Sequence, residues 1–208
     1  MKLFSQEDIQ GLEKVYRLNL INSISGYKSA NLIGTKGVTG ENLAIISSVI
    51  HLGSNPALLG FIMRPTNPER HTFRNIEETK VYTINAIHED LIERAHYTSA
   101  KFDATTSEFE KCNIEAEYLP NCEAPFVKES RLKMQMRLEQ VIPIEINDTS
   151  LIIGSVQNLY IDEESIIENG QVDLNVLKTV TISGLNRYHK ATQIGAFPYA
   201  KVNELPFK

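Results

Sequence analysis

Cysteine is scarce in this chain, basic charge is in deficit, and no apolar leader opens it. Each shortage excludes something. Cys112 and Cys122 are the only cysteines, too few and too far apart for a CxxC metal or redox pair. Residues 1–10 lack the apolar run of a secretory leader, so two reduced thiols and a cytoplasmic location are the expectation. A formal net charge of -5 argues against a general nucleic-acid binder, while leaving room for a local basic pocket that takes one phosphate. Internal repeats, low-complexity tracts and linkers are missing as well. Residues 1–208 therefore read as one domain, with an N-terminal helix over 1–24 and a C-terminal extension over 190–208.

Acidic and basic residues are also absent from 43–63, about the length of a bilayer span. Ser47, Ser48, His51, Gly53, Ser54, Asn55 and Pro56 fall inside that stretch. A spanning helix would bury those polar groups and break at Asn55-Pro56, so buried strands joined by a turn explain the residues better, and no membrane partner is expected.

What is present alternates between strand and turn chemistry. Ser5 with Asp8 predicts a capped helix carrying Ile9, Leu12, Val15 and Tyr16 at helical spacing, ended near Gly26. An apolar run over 29–35 meets the turn Lys36-Gly37-Val38-Thr39-Gly40 and a β-branched strand over 42–49. Another turn at 53–56 leads into the apolar strand Ala57–Met63. The loop 64–70, with two prolines, precedes a short helix for which Thr72 is the expected N-cap. A strand over 81–86, an amphipathic helix over 90–97 and an irregular third over 98–130 follow. Then come a long hairpin turning at Asn147-Asp148, a short helix near Leu174 and a strand over 179–183. Six or seven strands joined mostly by hairpins predict a mainly β fold, a closed antiparallel, Greek-key-like β-barrel with flanking helices.

Two places could hold a ligand. Arg64, Arg70 and His71 converge on a helix start, whose unpaired N–H groups and dipole suit a phosphate. The dipole offers only about 0.3–1 kcal/mol at an exposed site, so the arginines would carry more of the binding. The plain alternative is an ordinary cap beside solvated arginines. The second place is Ser47-Ser48, which interrupts an apolar strand; buried hydroxyls need partners, supplied either by a flat ligand or by neighbouring backbone.

Taken together, Asn42-Leu43-Ala44, Ser47-Ser48, Ser54-Asn55-Pro56, Arg64-Pro65, His71-Thr72, Asn75-Ile76 and Tyr82-Thr83-Ile84-Asn85 form a pattern. It continues through Glu108-Phe109, Ala124-Pro125 and Ile153-Gly154-Ser155-Val156. This resembles the flavin reductase-like family with an FMN-binding split barrel, over roughly residues 25 to 190. It departs at Asn55-Pro56-Ala57, where many relatives carry two prolines, and at Ser25-Gly26-Tyr27-Lys28, where many carry Pro-Arg-Pro. The resemblance implies a flavin edge against the strand at Ile46, Ser47, Ser48 and Val49. It implies the phosphate at Arg64, Arg70, His71 and Thr72, and a homodimer whose two subunits shape the cleft. It also implies an NAD(P)H-dependent flavin oxidoreductase, with FMN or an exchangeable flavin as cofactor and NADH or NADPH as co-substrate. Because hydride passes between the two nucleotides, no catalytic side chain is assigned. The alternative is a barrel of the same kind that binds flavin for electron transfer or sensing without reductase activity. A pyridoxamine-phosphate-oxidase-like enzyme, with more basic phosphate ligands, ranks third.

His88 and His96 lie too far apart for a helical metal pair and read as a solvated helix face, so no metal site is expected. Gly34, Gly37 and Gly40 do not make a dinucleotide fingerprint. His51, and the basic and aromatic run Arg187-Tyr188-His189, are left without an assigned role.

Overall fold

The first two helices form where capping chemistry allows. In this computed structural model, which describes residues 1–67 and 69–204, Ser5 caps α1 (Gln6–Gly11). Its hydroxyl accepts the Asp8 N–H at 3.1 Å, and the Asp8 carboxylate accepts the Ser5 N–H at 2.8 Å. Extended backbone at Leu12 divides the expected single helix in two, and α2 (Lys14–Ile24) follows. Neither helix buries a residue.

Strands β1 (Lys28–Ser29), β2 (Asn31–Gly37), β3 (Gly40–Ile46), β4 (Ile50–Ser54) and β5 (Ala57–Met63) come next. Then α3 (His71–Thr79), β6 (Val81–Ala86), α4 (Ile92–Tyr97) and α5 (Glu108–Lys111) are followed by the short pair β7 (Ala116–Glu117) and β8 (Phe126–Val127). The long hairpin β9 (Leu132–Ile144) and β10 (Thr149–Ile161), then β11 (Val180–Ser183) and β12 (Arg187–Lys190), complete the ladders. The expected helix near Leu174 is a run of turns instead, closed by the Asp173 carboxylate on the Asn175 N–H at 2.8 Å. Of the C-terminal extension over 190–208, residues 205–208 lie outside the described residues, as does Pro68 of the loop.

Seven strands form one antiparallel sheet in the order β3-β2-β6-β9-β10-β5-β4. Laid flat, it would be about 29 Å across at about 4.8 Å per strand. Yet its two edges, β3 and β4, are consecutive in the chain, joined by residues 47–49. Four Cα steps span at most about 15 Å, so the sheet must curl until its edges meet. Among the described residues no ladder pairs β3 with β4, as the split barrel implied by the resemblance requires. The strand predicted over 42–49 stops at Ile46, and the Ser48 side chain bridges the seam, accepting the Ile62 N–H at 3.0 Å. The barrel is split.

Period-two alternation sorts the side chains. Ile33, Phe61, Tyr82, Ile84, Met136 and Ile152 fill the inside of the curl, with Ile76 and Phe73 of α3 packed among them. Leu32 and Leu43 point outward, under Phe109, Leu91, Val180 and Ile182, where helices and the β1-β11-β12 sheet cover the barrel. Among the described residues no helix is long and apolar enough to cross a membrane.

Two glycines permit close approaches. At Gly34 a Cβ would overlap the Pro125 carbonyl oxygen, which accepts the Thr83 hydroxyl at 2.7 Å. At Gly154 a Cβ would overlap the hydroxyl of fully buried Tyr82 and come within 2.9 Å of the Arg137 carbonyl. Gly154→Ala is therefore expected to cost about 1–3 kcal/mol by overpacking, read as a lower urea midpoint at unchanged slope. A wild-type midpoint would show that the Tyr82 ring is free to move aside.

Candidate functional site

The site is assembled by a buried hydrogen-bond chain that starts on the short helix α5. Both Glu108 oxygens accept from the Asn42 amide, at 3.0 and 2.9 Å, and one also accepts the Leu43 N–H at 3.0 Å. With its nitrogen so held, Asn42 turns its amide oxygen to the Thr72 hydroxyl, which donates to it at 2.6 Å. Thr35, 3.4 Å from the same oxygen, accepts from the Asn75 amide at 3.1 Å. Glu108, Asn42, Thr35, Thr72 and Asn75 are all buried. The chain thus ties α5, β3, β2 and the first turn of α3 into one unit. Burial pushes the Glu108 carboxyl above its ordinary range, while the Leu43 N–H, the Asn42 amide and the charge of nearby His71 pull it back.

Thr72 is not the cap of α3, contrary to the sequence expectation. Arg70 occupies the cap position in extended conformation, the helix begins at His71, and no side chain caps it. Thr72 sits inside the first turn with its hydroxyl committed to Asn42, a stronger tie than capping because its partner is itself buried. Arg74 is the first residue whose N–H closes a helical bond, to the Arg70 carbonyl at 3.0 Å. Among the described residues the N–H groups of His71, Thr72 and Phe73 have no acceptor. Three donors therefore face the loop at the positive end of the helix dipole.

The basic residues frame that end. Arg70 donates from Nε to the Pro65 carbonyl at 3.2 Å, which leaves the two terminal nitrogens of its guanidinium for another partner. Arg64 is exposed and makes no hydrogen bond among the described residues. His71 is half-buried, close enough to Glu108 for its charge to act there.

The second predicted patch is brought alongside the first. Ile46, the last residue of β3, and Ser47, Ser48 and Val49 of the link are all half-buried. Ile46 and Val49 pack on the barrel core, and Ser48 is bound to Ile62, two residues before Arg64. Ser48 thus has a neighbouring backbone partner in this chain. β4, which borders the link, is exposed, with Ile50 and Leu52 presenting apolar side chains to solvent; it is a strand that the sequence reading did not place between those over 42–49 and 57–63. His51 lies exposed on it.

The described cavities lie elsewhere. One of about 530 Å³ is lined by Lys36, Val38, Glu78, Tyr118 and Glu123, and another of about 660 Å³ by Glu117, Lys128, Arg131, Tyr160 and Asp162. Neither is lined by a predicted site residue.

Sequence reasoning missed the central roles of Asn42 and Glu108; the signal was a carboxylate and an amide inside otherwise apolar surroundings, each of which needs a partner when buried. It also misplaced His88, which is buried beside β11 and bridged to Thr179 rather than set on a solvated helix face. His96 faces the Tyr188 hydroxyl at 3.0 Å, and His189 faces Ser183 at 2.8 Å, so β12 is tied into the fold by its own histidine and tyrosine.

Comparison with known proteins gives this arrangement a lineage. A solved protein from Shewanella frigidimarina NCIMB 400, assigned as a flavin reductase with a split barrel domain, superposes with a TM-score of 0.92 at 46% identity, covering 96% of this chain and 100% of that one. Nitrilotriacetate monooxygenase component B from Bacillus cereus shares the fold at a TM-score of 0.83 and 20% identity, covering 95% of this chain and 98% of that one. An uncharacterised protein of Aquifex aeolicus (strain VF5) is 25% identical over 128 residues, 62% of this chain, and the match spans only 64% of that protein's length. The family described as flavin reductase like domain matches residues 28–175. From Lys28 at β1 to the turns before β11, this chain belongs to the flavin reductase-like family and folds as its split barrel.

Proposed function

We propose that the chain binds FMN in the groove between residues 46–49 and the start of α3, and catalyses NAD(P)H-dependent reduction of flavin. The uncapped first turn of α3 carries this reading: three N–H donors without an acceptor among the described residues adjoin Arg64 and Arg70, a donor set that fits a phosphate dianion. Arg64, Arg70, His71 and the Thr72 N–H would hold the phosphate. Ile46, Ser47, Ser48 and Val49 would line the ring edge, where the link, outside the strand ladders, offers backbone donors and acceptors. Bound flavin supplies hydride acceptance at its ring, and this chain's part is to bind, orient and exclude water. No side chain needs to move a proton.

Micromolar retention requires about -8 kcal/mol, more than a phosphate clamp supplies. In one chain the groove is open on one side and flanked by exposed Ile50 and Leu52. A homodimer whose second subunit covers that side would provide the missing burial. The reading treats 1–208 as a single cytoplasmic domain, in keeping with two free, buried cysteines.

Four outcomes are expected. Protein isolated without added flavin, or reloaded with FMN, should be bleached anaerobically by NADH or NADPH; a bound flavin that neither nucleotide reduces leaves a binding module for electron transfer or sensing. Arg64→Ala should weaken FMN about 10–100-fold, the worth of one charge-assisted bond, and leave riboflavin affinity unchanged in a quenching titration. Equal losses for both ligands would put the phosphate elsewhere. Glu108→Ala leaves the Asn42 amide and Leu43 N–H without their acceptor and should cost about 2–4 kcal/mol of stability. The pH sign follows from the raised Glu108 carboxyl. The native state keeps its proton to higher pH than the unfolded chain, so stability falls as pH rises from the ordinary glutamate range to the raised value, then levels off. Glu108→Gln should lack that segment of the stability profile.

A further inference from the structure

Two apolar surfaces at the ends of the chain have no cover from the rest of it. α2 carries Val15, Tyr16, Leu18, Leu20, Ile21 and Ile24 within eleven residues, distributed around the helix, and buries none of them. Lys14, Arg17, Asn19, Asn22 and Ser23 are interspersed with them, so no single face of α2 gathers the apolar side chains, and a helix of this length is marginal in water by itself. At the other end every described residue from 191 to 204 is exposed, with Ile194 at 101%, Phe197 at 92%, Tyr199 at 89% and Val202 at 86%. Among the described residues, the hydrogen bonds of this arm stay within the arm.

The hairpin geometry directs the arm away from its own α2. Gly184, in the β11–β12 turn, lies against Ser23 near the end of α2, where a Cβ would come within 3.1 Å of the Ser23 hydroxyl. β12 starts there at Arg187 and runs antiparallel to β11, to Lys190 opposite Val180. The arm therefore begins at the far end of the hairpin from α2. Fourteen extended residues reach about 45 Å, beyond the ~17 Å radius of gyration of a folded chain this long. A second copy set beside the chain would lie within that reach.

We propose that this arm seats on α2 of a second copy of the chain, and that the second copy's arm seats reciprocally on this α2. The areas match. A buried side chain of this size removes roughly 60–120 Å² from water. The five exposed side chains of α2 and the four of the arm then approach the ~800 Å² that each partner contributes to a stable interface. Reciprocal exchange makes the contact isologous, so it closes at two copies. The inference rests on the homodimer reading above and names a surface that holds it together.

The test is crosslinking between co-expressed full-length chains. A tagged Phe197→Cys chain and an untagged Leu18→Cys chain are treated with a short bismaleimide, with Ile146→Cys, 99% exposed on another part of the surface, as control. A covalent heterodimer of the first pair, absent with the control, is the expected result. In the double variant, linkage confined to one chain overturns the proposal, and so does no linkage at all. Light scattering on the unmodified protein separates the two readings: a dimer without the crosslink sinks only the arm exchange, and a monomer sinks both. Phe197→Ser with Tyr199→Ser should raise the dimer dissociation constant at least tenfold; an unchanged constant also overturns the proposal.

Discussion

One buried carboxylate sets the position of much else. Glu108 accepts three hydrogen bonds from Asn42 and Leu43, and a carboxylate so placed cannot rotate without orphaning buried donors. Asn42 is therefore fixed in its amide orientation, and its oxygen holds Thr72 in the first turn of α3. α3 in turn inserts Ile76 and Phe73 into the barrel. A helix start that faces a loop with open N–H groups would drift if only its apolar face were packed, since burial has no direction. The hydrogen bonds give it one.

Barrel closure works on the same site from the other side. Because the edge strands are joined by residues 47–49, the link must lie over the seam between β3 and β4. Ser48 fixes it there through Ile62, and the same strand delivers the chain to Arg64 two residues later. The groove is thus a consequence of how the sheet is connected. A split barrel leaves short extended backbone unpaired along its seam, and flat, polar-edged ligands suit such backbone.

Much of the fold was legible in the residues themselves. Turn chemistry at Lys36 to Gly40 and Asn147-Asp148, β-branched strands, and the Ser5-Asp8 cap carry local instructions that depend on nearest neighbours. The errors fell where a residue's partner is distant. Thr72 has the chemistry of a cap, but it falls inside the first turn, where its hydroxyl donates to Asn42, thirty positions away. Ser47-Ser48 read as part of a buried strand, because nothing local shows that the chain changes sheet edges there. The stretch 43–63 forms β3, β4 and β5, where the residues had indicated only two strands; β4 was missed because its exposed side chains give no buried-strand pattern.

Sequence alone determined the mainly β class, the hairpins, the basic loop before α3 and the family pattern, because those follow from short-range stereochemistry and from residue types at fixed spacing. Tertiary structure alone decided that the helix starts uncapped at His71, that Glu108 and Asn42 govern its place, and that the barrel is split at residues 47–49. Those outcomes depend on which buried polar groups meet across dozens of residues, and a buried donor takes whichever acceptor the fold brings to it.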